Sequence, residues 1–117
     1  MTVKRIVTDI ATDDVEGVCK FYEDLFDLTP VMDQGWIGTL ASGQSAKVQL
    51  SIASEGGSGT PVPDMSIEVD DVDATYARAK TLDAPIIYDL TDEPWGVRRF
   101  FTRDPAGKVL NILAHLD

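Results

Sequence analysis

Residues 10–17 read "IATDDVEG" and residues 67–74 read "IEVDDVDA". Both are Ile-x-x-Asp-Asp-Val followed by an acidic residue. A phrase repeated at this separation in a chain of 117 residues constrains the fold strongly, because it points to one small module written twice. Each copy sits where a strand gives way to a helix. Ahead of the first, "VKRIVTDIA" (3–11) alternates, with Ile6 and Ile10 on one face and Val7, Asp9 and Ala11 on the other. Asp13 with Glu16 three residues later then makes an acidic variant of the capping box. Val15, Val18, Cys19, Tyr22, Leu25 and Phe26 follow at helical spacing, which predicts an amphipathic helix over 13–26, ending before Pro30. Strand-like segments follow at 29–33, 36–41 and 47–53, with turns at Gly35 and "SGQS".

The second copy starts the pattern again. "MSIEV" (65–69) alternates, Asp70 or Asp71 opens a helix over 71–82, and strands are predicted at 84–90, 97–103 and 108–116. "DPAG" (104–107) turns the chain into the last strand. Between the copies, residues 54–63 are rich in Gly, Ser and Pro and read as a flexible linker. The expected fold is therefore α+β: one domain made of two βαβββ modules, 1–53 and 64–117. The two sheets curl into a half-barrel with the helices outside. Its concave face is the natural ligand site. Alternation sends Ile6, Ile10, Met65, Ile67 and Val69 toward the helices, with Val48, Leu50, Ile52, Leu110, Ile112 and Leu116. It leaves Val7, Asp9, Gln49, Ser51, Asp64, Ser66, Glu68, Asn111, Leu113 and His115 for the cup.

Charge and cysteine content exclude several function classes. Ten basic against twenty acidic residues argue against nucleic acid, which needs a basic footprint. The same balance permits a cationic partner and favours solubility. A single cysteine, Cys19, excludes an intrachain disulfide and a zinc–cysteine cluster. No apolar run is long enough to span a bilayer and no signal-peptide core opens the chain, so no membrane role and a cytoplasmic location are expected. "EGGSGT" lacks the lysine and following helix of a phosphate loop. One histidine near the chain end does not build a nucleophile–His–acid site.

The repeated module, "FYEDLFDL" in the first helix and "WGVRRFFTRDPAGKVLNIL" near the end resemble the glyoxalase/bleomycin-resistance/extradiol-dioxygenase superfamily, the vicinal oxygen chelate proteins. The resemblance covers essentially the whole chain. It implies a glyoxalase-like half-barrel, usually in a homodimer, and in the enzymes a divalent metal held in the cup. The metal's ligands come from the first and fourth strands of each module. Those four places fall here on Val7, Gln49, Asp64 and Asn111. Valine has no lone pair to donate, and Gln and Asn are weak neutral ligands, so the set departs from the family's metal pattern.

Two functional classes follow. In the first, the chain is a metal-free, cofactor-free binder of a small organic ligand, cationic or aromatic, as in the family's antibiotic-resistance branch. Gln49, Asp64 and Asn111 supply polar anchors, Asp9 and Glu68 add charge, and Trp36 and Trp95 supply walls. In the second, it is a metal-dependent lyase, isomerase or dioxygenase using an unusual set such as Asp9, Asp64 and Glu68. Arg98 or Arg99 points into the cup, as strand alternation sends one of the pair inward; Arg98 is taken as the ligand contact, with an Asp–Arg bridge as the structural alternative. A homodimer is expected because a short half-barrel with two helices leaves apolar sheet uncovered.

Overall fold

The doubled Asp-Asp-Val phrase is explained by helix capping. The computed structural model describes residue 5, residues 7–46 and residues 49–117. Helix α1 runs Val15–Phe26 and helix α2 runs Val72–Thr81. The second aspartate of each phrase is the N-cap. Asp14 accepts from the Gly17 amide at 3.0 Å, and Asp71 from the Ala74 amide at 3.0 Å. Each carboxylate satisfies an amide that the helix leaves without a partner, and it sits at the positive end of the helix dipole. The cap of α1 is thus Asp14 rather than Asp13. Asp27 ends α1 in the left-handed conformation, with its amide bonded to Glu23 O.

After α1, β1 (Thr29–Asp33) and β2 (Gly38–Ala41) form an antiparallel hairpin that stands as its own two-stranded sheet. The second module is complete: β3 (Met65–Glu68), α2, then β4 (Ile86–Asp92), β5 (Val97–Arg103) and β6 (Val109–His115). Its sheet has the order β3-β6-β5-β4, parallel between β3 and β6 and antiparallel elsewhere.

One core serves both helices. Val18, Tyr22 and Leu25 of α1 and Val72 and Ala79 of α2 pack with Phe100, Leu110 and Ile112 of the sheet. Met65, Ile67 and Val69 join from the same face of β3 and its end. A hydrogen bond ties the first helix to the second module. The Tyr22 hydroxyl donates to Asp104 Oδ2 at 2.6 Å, while Asp104 Oδ1 accepts the Ala106 and Lys108 amides, each at 2.8 Å. The "DPAG" turn is therefore both the entry to β6 and the anchor of α1.

Three expectations are corrected. The predicted strand over 3–11 has no strand among its described residues, and neither does that over 47–53; Val3, Lys4, Ile6, Lys47 and Val48 lie outside the described residues. Leu50 and Ile52, expected under a helix, are 77% and 88% exposed. Alternation buries a side chain only when the strand has a sheet to join, and residues 49–53 pair with none of the described strands. Leu116 is likewise exposed rather than packed. Residues 54–63 are not a loose tether. Gly57 and Thr60 form a bridge, Gly56 N donates to Thr60 O at 2.8 Å, and the buried Thr60 hydroxyl donates to Gly57 O at 2.7 Å.

Burial and Asp104 raise the Tyr22 phenol above its ordinary value. Its neutral form is thus favoured in the folded chain, and the resulting stability is complete below the ordinary phenol value of about 10 and is lost as pH rises beyond it. Tyr22→Phe should cost about 1.5–3 kcal/mol in denaturant unfolding at neutral pH, and should lessen the loss of stability above about pH 10.

Candidate functional site

The face of the four-stranded sheet turned away from the helices is laid out by register. One row runs Ser66, Asn111, Phe101 and Tyr88 across β3, β6, β5 and β4. The next runs Glu68, Leu113, Arg99 and Thr91. The β3–β6 half of this face is polar and the β5–β4 half is aromatic.

On the polar half, Asn111 Nδ2 donates to Ser66 Oγ at 3.0 Å. Asn111 is only 9% exposed, and its Oδ1 is buried with no hydrogen-bond partner among the described residues. A buried acceptor left open costs about 1–3 kcal/mol. His115 Nδ1 lies 2.9 Å from Glu68 Oε2, both side chains exposed. A neutral His115 donating Nδ1–H to that carboxylate leaves Nε2 as an acceptor.

On the aromatic half, Arg99 and Glu93 form a buried ion pair, with Nη2–Oε2 of 2.7 Å and side chains 4% and 2% exposed. Arg99 Nη1 and Nη2 also donate to the carbonyls of Gly56 and Gly57 at 2.8 and 3.2 Å. Ser58 Oγ and Tyr88 OH donate to Glu93 at 3.1 and 3.2 Å. The loop between the modules is thus riveted to β5. Removing a buried charge's partner is severe because the remaining charge stays desolvated.

The expected site residues divide accordingly. Asn111, Glu68 and Trp95 belong to this face or its end. Asp64 lies at its edge, with Oδ2 accepting the Val109 amide at 2.7 Å. Asp9 and Asp64, with Thr8 and Lys108, line a cavity of about 160 Å³ beside it. Gln49 is exposed and lines neither that cavity nor the larger one. Trp36 stands 77% exposed between β1 and β2, apart from the sheet. Arg98 is corrected: it faces α2, bonded to Asp73 at 3.0 Å and to Asp92 at 2.9 Å, so Arg99 is the inward member of the pair. Those two carboxylates raise its already high pKa. Glu93, Tyr88 and Phe101 were not singled out by the sequence. The period of two in "VRRFF" does place Phe101 on the Arg99 face, and that signal was available.

A larger cavity of about 530 Å³ lies between α1 and the β1–β2 hairpin, lined by Cys19, Glu23, Met32 and Asp33 among others. It holds none of the groups expected to bind ligand. Burial and the carboxylates of Glu23 and Asp33 raise the Cys19 thiol above its ordinary value.

The four places where the family implies metal ligands do not fit a metal. Val7 offers no donor, Gln49 stands apart, Asp64 holds a backbone amide, and Asn111 is a neutral amide bound to Ser66. The alternative set also fails to assemble: Asp9 and Asp64 share a cavity, while Glu68 faces His115. Among the described residues, no three His, Cys, Asp or Glu side chains converge.

A βαβββ sheet with one helical face and one open, half-polar face defines a glyoxalase-like fold. The chain belongs to the Glyoxalase/Bleomycin resistance protein/Dioxygenase superfamily, whose family model matches residues 3–112. Solved structures share the fold at low identity. The lactoylglutathione lyase of Agrobacterium tumefaciens is 22% identical with a TM-score of 0.66, over 97% of this chain and 92% of that one. TioX of Micromonospora sp. ML1 is 22% identical with a TM-score of 0.63, over 96% of each chain. A superfamily member from Sphaerobacter thermophilus DSM 20745 is 18% identical with a TM-score of 0.66, over 98% of each. No curated protein matches the sequence. No helix among the described residues is long and apolar enough to cross a membrane.

Two outcomes are expected. Arg99→Met should destabilise the chain by about 3–5 kcal/mol in urea unfolding, and adding Glu93→Gln should recover a large part of that loss. Cys19 should react with iodoacetamide more slowly than a free thiol at neutral pH, with a rate still rising beyond about pH 9, since the thiolate is the reacting form.

Proposed function

We propose that this chain is a small-molecule-binding member of the superfamily that works without a metal. Its ligand lies on the concave face, with a polar end on Asn111 and Ser66, Glu68 and Asp64 nearby, and a flat part on the aromatic half. The observation that carries this reading is Asn111. A buried amide oxygen without a partner stands where the family implies a metal ligand. An amide there serves hydrogen bonding better than coordination. The working form is a homodimer in the cytoplasm. Val7, Val31, Met32, Trp36, Leu50 and Ile52, all in the first module, are exposed, and a second copy would cover apolar surface of this kind.

The ligand reading is tested by thermal shift with a panel of cationic aromatics, flat neutral heterocycles, aldehydes and dicarbonyls. A true ligand stabilises the protein increasingly with concentration. Asn111→Val should abolish that shift while leaving the stability of the free protein unchanged or up to about 1 kcal/mol higher, because it removes the open acceptor. A ligand whose shift survives Asn111→Val would place the site elsewhere. For the assembly, light scattering at tens of micromolar should give twice the 12.7 kDa chain mass. Elemental analysis of protein purified without chelator should find no first-row metal near one equivalent; finding one, lost on Asp64→Ala, would restore the metal-enzyme reading.

A further inference from the structure

The aromatic box on the concave face is filled by the protein itself. The Arg99 guanidinium lies 5.3, 4.9 and 4.9 Å from the ring centroids of Tyr88, Trp95 and Phe101. Aromatic rings with a carboxylate nearby are the set that recognises an organic cation. Here the rings face Arg99, and Glu93 is engaged by Arg99, Tyr88 and Ser58. Neither the rings' inner faces nor the carboxylate is open to a second cation.

What stays open is the outer side of Trp95. The indole is 52% exposed. Its inner side meets the guanidinium, and its edge abuts Gly57, where an added Cβ would come within 2.7 Å of Cη2. The ring is thus held in place from below and from the side.

We propose that the outer face of Trp95 is the aromatic subsite of the cup, that Arg99 and Glu93 are positioning residues beneath it, and that the subsite prefers a flat, uncharged ring to an organic cation. The inference rests on the ligand-binding reading above and narrows it. A second cation would approach an indole whose negative face already answers a guanidinium on the far side. A flat neutral ring needs only contact area and dispersion, which a ring held in one orientation provides. The chain's overall negative charge gathers cations near its surface, an effect that salt weakens.

The test compares two probes of the same shape, isoquinoline and N-methylisoquinolinium, at mildly alkaline pH where isoquinoline is uncharged. Binding is followed by the indole N–H resonance of Trp95, assigned with Trp36→Phe. In the wild type isoquinoline should bind at least about tenfold more tightly than its methylated cation. Trp95→Leu, which removes the reporter, is read by thermal shift and should lose the stabilisation that both probes give the wild type. Arg99→Met with Glu93→Gln, which removes the ion pair together, should erase the preference. Arg99→Lys keeps the charge and should keep the preference, so the proposal stays testable if the double variant does not fold. Equal or tighter binding of the cation by the wild type overturns the preference, and so does a preference unchanged in the double variant. Neither probe moving Trp95 overturns the subsite, while the response of other ligands to Asn111→Val judges the cup separately.

Discussion

A guanidinium and a carboxylate, Arg99 and Glu93, lie almost wholly out of water on the side of the sheet turned away from the helices. Desolvating two charges is costly, and their mutual attraction balances that cost only when hydrogen bonds meet the remaining donors and acceptors. The structure supplies those bonds from three directions. Gly56 and Gly57 offer carbonyls, Ser58 and Tyr88 offer hydroxyls, and three rings surround the guanidinium. Much of the fold's arrangement follows from this requirement. The inter-module loop must close onto β5, Trp95 must lie across Arg99, and position 57 must be small and of positive φ, as its glycine is at 86°.

The same requirement divides the open face by chemistry. The β5–β4 half becomes closed, aromatic and self-satisfied, whereas β3–β6 keeps the groups with hydrogen-bonding capacity left over. Asn111 is the sharpest of these, because its amide nitrogen donates to Ser66 while its oxygen has no hydrogen-bond partner among the described residues. Among the described residues, no three His, Cys, Asp or Glu side chains converge on this face.

The two modules share a motif but not a fate. Asp14 and Asp71 cap their helices through the same contact, and both helices feed one core through Tyr22–Asp104 and the shared sheet face. Among the described residues, four paired strands are seen in the second module alone. Among the described residues the first contributes a helix and a hairpin; Ile10 and Leu28 pack against the core, whereas Val7, Leu50 and Ile52 are exposed. A two-stranded hairpin has little stability of its own in water, so α1 and its packing carry the first module.

The sequence by itself determined whatever depends on neighbours in the chain. The helix stripe Val18–Tyr22–Leu25, the strand over 97–103 and the hairpin strand over 29–33 are local patterns, and a repeat of Asp-Asp-Val marks a repeated cap. Alternation also placed Ser66, Glu68 and Asn111 on the face opposite Ile67 and Ile112, because the pleat has a period of two whatever surrounds it. Tertiary structure decided the rest. Whether Leu50 and Ile52 are buried depends on a strand partner, which no local pattern contains. Arg98 and Arg99 differ by one position, yet one meets Asp73 on α2 and the other Glu93 under an aromatic roof. Residues 54–63 carry the composition of a tether, but a buried guanidinium drew their carbonyls in. Composition describes the freedom of an isolated segment, whereas a buried charge recruits whatever acceptor the fold brings within reach.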